Sequence, residues 1–373
     1  MILAKKVRLK PTMEQEQQLW KSVGTARFIY NWTLNRQQEN ERNGGKFILD
    51  GVLRKELTQL KQTEALSWLN DVSNNVAKQA VKDACNSFKK FFKGESAYPK
   101  FKSRRKSKLS FYNDNVKLKI KKKFVLLEKI GWVQTAEQLP TGCVYVNPRV
   151  SFYGKYWYLA IGIEQTFPQE ELTDVSLGID VGINKLAYCS NGESYQNINK
   201  TKAVKKIEKR LHKLQRSVSR KYEMNKEGNR FVKTSNIIKI EKDIRKLHRR
   251  VANIRHNHLH QTTSAIVKTK PYRIVMETLN IKGMMRNQHL AKAIQKQGLY
   301  EFKKQIQYKC EKYGIAFIEA DQWYPSSKMC VSCGNIKRNL KLADRMYHCE
   351  MCGHVQDRDL NASINLARYN LAK

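Results

Sequence analysis

Two cysteine pairs, Cys330-Val331-Ser332-Cys333 and Cys349-Glu350-Met351-Cys352, constrain this chain more tightly than any other stretch. Fifteen residues separate them, the spacing of a four-cysteine zinc site. Four thiolates fill a tetrahedron, so Cys330, Cys333, Cys349 and Cys352 are expected to hold one structural Zn²⁺ in a closed site. Gly334 and Gly353 follow the second cysteine of each pair, where a tight turn asks for a positive φ. A redox CxxC is the competing reading, but one redox motif would not need the second pair. His348 and His354 flank a tetrahedron that is already full, so they read as outer partners or solvent-facing groups. Cys85, Cys143, Cys189 and Cys310 are scattered and read as small buried apolar side chains in a reducing compartment.

Charge narrows the partner. Lys and Arg number 71 against 33 Asp and Glu, a formal charge of +38 on 373 residues. Such a chain repels itself when compact, and a polyanion relieves the repulsion by releasing counterions. Nucleic acid fits better than a membrane surface, because the positive charge runs along the whole chain instead of along one amphipathic helix. The opening MILAKKVRLKP has no signal-peptide core, and no run of about 18 apolar residues could span a bilayer. The expected setting is the inside of a cell, with no membrane partner. The length allows two or three domains.

Along the chain, Ile2, Ala4, Val7 and Leu9 alternate with basic residues and predict a strand ending at Pro11. Helical spacing begins at Thr12, with Leu19, Trp20, Val23, Ala26, Ile29 and Trp32. More helix is predicted from about Gly51 to Phe92, with Val72, Val76, Ala80, Ala84, Phe88 and Phe91 as its apolar stripe. Asn75, Lys78, Gln79 and Lys82 lie off that stripe, either as a solvated face or as one that reads nucleic acid. The segment KFKSRRKSKLSFY packs six Lys and Arg, among them Lys100, Lys102, Arg104 and Arg105, between three aromatics. It reads as a backbone-gripping stretch or as a merely solvated loop. From about Leu118 to Glu164 short apolar runs alternate with turns, the texture of antiparallel strands and of a small barrel. After Thr173 come the strands SLGID, LAYCS, YRIVMETLN and GIAFIEA, with a Lys/Arg-rich helical stretch over 201–269 between the second and third. Strands and helices interleaved in this way predict an α/β sheet.

Three acids stand out from the basic background. Asp180 ends one apolar strand, Glu277 ends another, and Asp359 opens the helical segment DRDLNASINLA. Singly they read as a turn residue, a lysine partner and a helix N-terminal charge. Together, acids at strand ends and a helix start can converge at one edge of an α/β sheet. Converging carboxylates repel unless cations sit between them, and hard oxygen ligands suit Mg²⁺ or Mn²⁺. Two such ions, about 3.5–4 Å apart, can serve phosphodiester hydrolysis without a histidine base. His256, His258 and His260 are a rival metal tract, but only the first and last share a helix face.

The stretches GIDVGINKLA, VMETLNI and SSKMCVSCG…YHCEMCGHVQDRDLNASINLA, with VRLKPTMEQEQQLWKSVGTARFIYN and YPKFKSRRKSKLSFY, resemble the TnpB family. These are RNA-guided nucleases encoded by bacterial insertion sequences and related to type V CRISPR effectors. The resemblance spans nearly the whole chain. It implies an α/β RNase H-like (RuvC) nuclease domain over 171–325 and 355–373, with a zinc-ribbon insertion over 326–354 that binds target nucleic acid. It implies a wedge-like β-barrel over 1–12 and 96–170, interrupted by a helical recognition insertion over 13–95. Asp180, Glu277 and Asp359 would hold two Mg²⁺ or Mn²⁺ ions. Asp359 is preferred to Asp357 because the family's acid stands two residues before the asparagine that is Asn361 here. The implied guide is an RNA from the transposon end, and the implied target is double-stranded DNA beside a short adjacent motif. Asn75, Lys78 and Gln79 fall where the family's helix reads that motif. A monomer in complex with RNA is expected. Thr278 and Ser363 depart from residues usual in relatives and leave the acids intact. The competing functions are a guided DNA-binding regulator and a transposition accessory, neither cutting DNA productively.

Overall fold

The computed structural model describes residues 1–168, 170–341 and 344–369. Position 169 of the expected wedge segment, 342 and 343 of the expected ribbon, and 370–373 of the expected nuclease segment lie outside the described residues. The chain forms two compact units, Met1–Thr166 and Phe167–Lys373. No described helix is long and apolar enough to cross a membrane.

The first unit opens with β1 (Ile2–Lys10). Its alternation differs from the simple reading of the sequence. Val7 and Leu9 are buried, whereas Ile2 and Ala4 stand on the opposite face and are exposed. Thr12 caps α1 (Met13–Arg42) through a reciprocal exchange with Gln15, each side chain accepting the other residue's N–H. The helix predicted over 51–92 is broken into α2 (Asp50–Leu60), a 3₁₀ turn over Glu64–Asp71, and α3 (Asn74–Phe92). The physical cause is Ser73, whose hydroxyl accepts the N–H of Asn75 and starts a new helix. Val72 is therefore a buried residue ahead of α3 instead of the start of its stripe.

Six further strands follow: β2 (Leu109–Tyr112), β3 (Lys119–Lys121), β4 (Phe124–Leu127), β5 (Gly131–Thr135), β6 (Tyr145–Tyr153) and β7 (Tyr156–Glu164). With β1 they form a seven-stranded antiparallel sheet in the order β2-β6-β7-β1-β5-β4-β3. Val7, Val125, Val133, Leu159 and Ile161 pack on one face, joined by Leu19 and Val23 of α1 and Val76 of α3. Each such side chain, fully buried, contributes about 1.5–3 kcal/mol. Ile29, Leu53, Leu69 and Val81 make a second core among the helices.

The second unit runs β8 (Thr173–Val181), β9 (Lys185–Cys189), β10 (Ser194–Gln196), α4 (Lys202–Met224), the short pair β11 (Lys226–Glu227) and β12 (Arg230–Phe231), α5 (Ser235–Lys268), and β13 (Pro271–Glu277). There follow α6 (Ile281–Met284), α7 (Gln288–Gln297), α8 (Leu299–Tyr313), β14 (Ala316–Ala320), β15 (Met346–His348), β16 (Val355–Asp357) and α9 (Arg358–Ala367). The main sheet has the order β10-β9-β8-β13-β14. β8, β9 and β10 are antiparallel neighbours, and β8, β13 and β14 run parallel. Numbered within the sheet the strands read 3-2-1-4-5, an RNase H-like arrangement. Parallel pairing of β8 with β13 requires a long crossover, and α4 and α5 supply it. The basic stretch over 201–269 is thus two helices joined by a hairpin, whose Gly228 has φ +56°.

Candidate active site and metal centre

Strand alternation decides which way the acids point. Along β8, Leu177 and Ile179 face one core, while Gly178 and Asp180 face the other side of the sheet. Register pairs Gly178 with Val275 and Ile179 with Met276, so Glu277 ends β13 on the same face as Asp180. That face is covered by α9, where Val275 packs against Leu366. The approach is close. A Cβ on Gly178 would stand 2.0 Å from the Ser363 carbonyl oxygen and 2.3 Å from the Ala367 nitrogen. Only glycine lets the helix lie this near the strand. The far end of α9 is pinned to the sheet, the Ala367 carbonyl accepting from Ser176 Oγ at 2.6 Å and Arg273 Nη2 at 3.0 Å.

The near end carries Asp359 in its first turn. Asp357 is the N-cap, its carboxylate accepting the N–H groups of Asp359 and Leu360 at 2.9 and 3.1 Å. The two aspartates therefore have separate places: Asp357 closes the helix end and Asp359 projects from it. Asp180, Glu277 and Asp359 line one cleft of about 610 Å³. Burial, then the charges of Glu277 and Asp359, hold the Asp180 carboxyl well above the usual carboxylate range, with Arg358 opposing the shift. Burial also raises Glu277. Arg358 lies 3.2 Å and Arg345 3.9 Å from the carboxylate of Asp359. Lys185, Lys200, Lys328 and Lys341 line the same cleft. Sequence reasoning passed over these cations, although Arg358 adjoins Asp359 and the basic composition offered a signal.

The Glu277 carboxylate makes no hydrogen bond or ion pair among the described residues, while its backbone pairs with β14. Asp180 and Glu277 are both desolvated, and the charges of Glu277 and Asp359 act on Asp180, so a cation seated among the three would relieve their repulsion. All the donors are hard oxygens, so the set fits Mg²⁺ or Mn²⁺.

The cysteine cluster is a separate centre. The Sγ atoms of Cys330, Cys333, Cys349 and Cys352 lie within 4.8 Å of one another, as a tetrahedral ion requires. Gly334 and Gly353 have φ +73° and +68°, and each N–H closes a turn onto the carbonyl of Cys330 or Cys349. The N–H groups of Cys352 and Met351 favour the Cys349 thiolate, lowering its pKa to about 6. Tyr347, fully buried between Cys330 and Cys349, donates to the Lys328 and Asn335 carbonyls. His354 contacts Gln356, and His348 is exposed. In the rival tract, His256 and His260 stack edge to face at 4.4 Å, while His258 contacts the Gln196 carbonyl.

In the first unit the candidate nucleic-acid residues divide. Asn75 donates to Glu128, and Gln79 donates to Asp83, which also pairs with Arg149 at 2.6 Å. Lys102 turns inward, its ammonium 3.4 Å from the centre of the Tyr30 ring. Burial lowers its pKa. Lys78, Lys100, Arg104 and Arg105 remain exposed. Thr278 bonds the Ala320 carbonyl and ties the ends of β13 and β14, and buried Ser363 bonds the Leu360 carbonyl. Both departures are absorbed within the fold.

A family model described as "Cas12f1-like, TNB domain" matches residues 300–366, and one described as "Probable transposase" matches 159–288. A "Helix-turn-helix domain" model matches 1–46, which fold here as β1 and the single helix α1. A "Putative RNA-guided DNA endonuclease" of Streptomyces pristinaespiralis is 32% identical, the match covering 98% of this chain and 89% of that protein. "Putative RNA-guided DNA endonuclease InsQ" of Escherichia coli K12 is 29% identical over 97% of this chain and 90% of its own length. "TnpB-like protein L79" of Acanthamoeba polyphaga mimivirus is 31% identical over 33% of this chain and 24% of its own. The fold is similar to that of Cas12f1 in a cryo-EM structure of its complex with sgRNA and target DNA, at a TM-score of 0.60 and 15% identity. That match covers 95% of this chain and 82% of the other. A 32% identical match to the Streptomyces protein over nearly the whole chain, an RNase H-like sheet and an embedded four-cysteine ribbon together place this chain in the TnpB family.

Proposed function

We propose that this protein is an RNA-guided endonuclease that hydrolyses double-stranded DNA beside a short adjacent motif. The observation that carries the reading is the convergence of Asp180, Glu277 and Asp359 in one cleft. These three would hold two Mg²⁺ or Mn²⁺ ions, which when bound would supply Lewis-acid charge for phosphodiester hydrolysis. The chain's own residues do the rest. The β-strands fix Asp180 and Glu277 side by side, and α9 brings Asp359 to them. Arg358 and Arg345 hold the Asp359 carboxylate and present positive charge to a strand entering the cleft. Lys185, Lys200, Lys328 and Lys341 add charge for neighbouring phosphates. Four thiolates would hold one structural Zn²⁺.

The guide would be an RNA from the transposon end, bound by a monomer in the cytoplasm of a prokaryotic cell. Residues 171–325 and 355–373 would act as the nuclease domain and 326–354 as the target-binding ribbon. Residues 1–12 and 96–170 would act as the wedge, and 13–95 as the recognition insertion. Within these, Lys78, Lys100, Arg104 and Arg105 are the candidates for phosphate contacts, being the exposed members of the set. The names of the relatives and the likeness to Cas12f1 support the reading. With a matched guide and Mg²⁺, wild-type protein should cut plasmid DNA. Asp180→Ala should bind and leave it intact, and a variant that still cuts would refute the assignment.

A further inference from the structure

The helix that carries Asp359 is also bonded to the cysteine ribbon. Asn361, fully buried, uses its amide in both directions. Its Oδ1 accepts the Val331 N–H at 3.1 Å, and its Nδ2 donates to the Met329 carbonyl at 2.8 Å. Asn365, one turn further along α9, donates to the carbonyls of Ser326 and Met329 at 2.8 and 2.7 Å. Arg368 donates to the Val331 carbonyl at 2.5 Å. Val331 stands inside the first CxxC pair, so Asn361 and Arg368 grip the backbone of a metal knuckle, and Asn365 holds the segment just ahead of it.

The position of Asn361 matters. The far end of α9 is fixed to the sheet through Ser176, Arg273 and the close approach at Gly178. Asn361 is the fully buried side-chain anchor on the ribbon, two residues from Asp359, and it works beside the bond from the Arg358 N–H to the Arg345 carbonyl at 2.9 Å and the Arg345–Asp359 pair at 3.9 Å. Its amide is desolvated, so a shifted knuckle would leave its donor and acceptor unpaired. Breaking such bonds costs more than their formation gains.

We propose that Asn361 is a positioning residue that couples the two metal centres. Occupation of the cysteine site sets the 330–333 knuckle, and Asn361 passes that setting to α9 and so to Asp359. The inference rests on the acids being metal ligands. Linkage then requires that metal at the cysteines tighten metal at the acids, and the reverse.

The test uses the full chain without nucleic acid, with Co²⁺ at the cysteines and Mn²⁺ as the probe for the acids. Thiolate-to-cobalt absorption reports the first site and Mn²⁺ electron paramagnetic resonance the second. In wild type, removing cobalt should weaken Mn²⁺ binding about fivefold or more. In Asn361→Ala the cobalt spectrum should persist, Mn²⁺ should already bind weakly, and stripping cobalt should add little. Asn361→Asp keeps the acceptor for Val331 and loses the donor to Met329, and should fall between. Should Asn361→Ala fail to take up cobalt, Asn365→Ser provides the comparison, with a smaller loss of coupling. The proposal is overturned if wild-type Mn²⁺ affinity ignores cobalt, or if the asparagine variants keep the full wild-type coupling. Unchanged Mn²⁺ binding in Asp180→Ala would instead refute the acids as ligands, a failure of the underlying reading and not of the clamp alone.

Discussion

The cysteine cluster and the carboxylate cleft are built in opposite ways. Four thiolates come from two turns close together in sequence, each closed by a glycine with positive φ. The three acids come from two strands and a helix, and nothing local brings them together. Parallel pairing of β8 with β13 and the packing of α9 on β8 must both form first. The first centre would be created by its metal, whereas the second would be created by the fold, against its own charge. One should fail by losing a ligand, the other by a small displacement that leaves every ligand in the chain.

That contrast can be broken in three places, beginning with the largest effect. Cys330→Ser should abolish bound zinc and loosen the ribbon, since a structural zinc supplies on the order of 10 kcal/mol to a small domain. Metal analysis and hydrogen exchange at Tyr347 would register it, and wild-type protein without zinc would contradict it. Gly178→Ala should destabilise the second unit by about 3 kcal/mol or more, because helix and strand backbones must separate. Chemical denaturation measures the loss, and cleavage should fall with every acid still present. A stable, fully active alanine variant would show that the assembled centre tolerates displacement.

The smallest effect runs the other way. Asp180 and Glu277 are both raised, so the unfolded chain releases their protons at lower pH than the fold does. Without divalent ions at the acids, stability is therefore lost as pH rises from the ordinary carboxylate range through the raised values. Asp180→Asn removes part of that penalty. At neutral pH and without Mg²⁺ it should melt above wild type, by roughly 2–4 °C for each kcal/mol relieved. The difference should vanish near pH 4 and reverse in sign when Mg²⁺ binds only the wild type. A lower melting temperature for Asp180→Asn under metal-free conditions would show that the charges are already neutralised.

The cysteine cluster was legible in the sequence because ligand spacing and turn glycines are local properties. The acids were legible only as a set, through strand ends and family resemblance. Their convergence depends on a register that no short window encodes. Gly178 illustrates the gap: in SLGID it reads as a weak strand residue, and only α9 gives it a reason. Periodicity also misplaced boundaries. It ran helix through Ser73, where a side-chain cap restarts the backbone, and it left unmarked the hairpin at Gly228 that divides the helical stretch over 201–269. It set Ile2 and Ala4 with Val7 and Leu9, although the strand turns the two pairs to opposite faces. The partners of Asn75 and Lys102, Glu128 and Tyr30, lie far along the chain where no short window shows them, whereas Gln79 bonds Asp83 one turn further along its own helix.

Asp357 and Asp359 stand two residues apart on one helix end, one bonded to the backbone and the other facing Asp180. Single-turnover cleavage of guide-matched DNA by Asp359→Ala and Asp357→Ala therefore tests the central claim most directly. Asp359→Ala should bind target and cut it at least about a thousandfold more slowly, a barrier rise near 4 kcal/mol. Asp357→Ala should mainly lose stability, by about 1 kcal/mol for a missing cap. Wild-type cleavage by Asp359→Ala would contradict the three-acid centre.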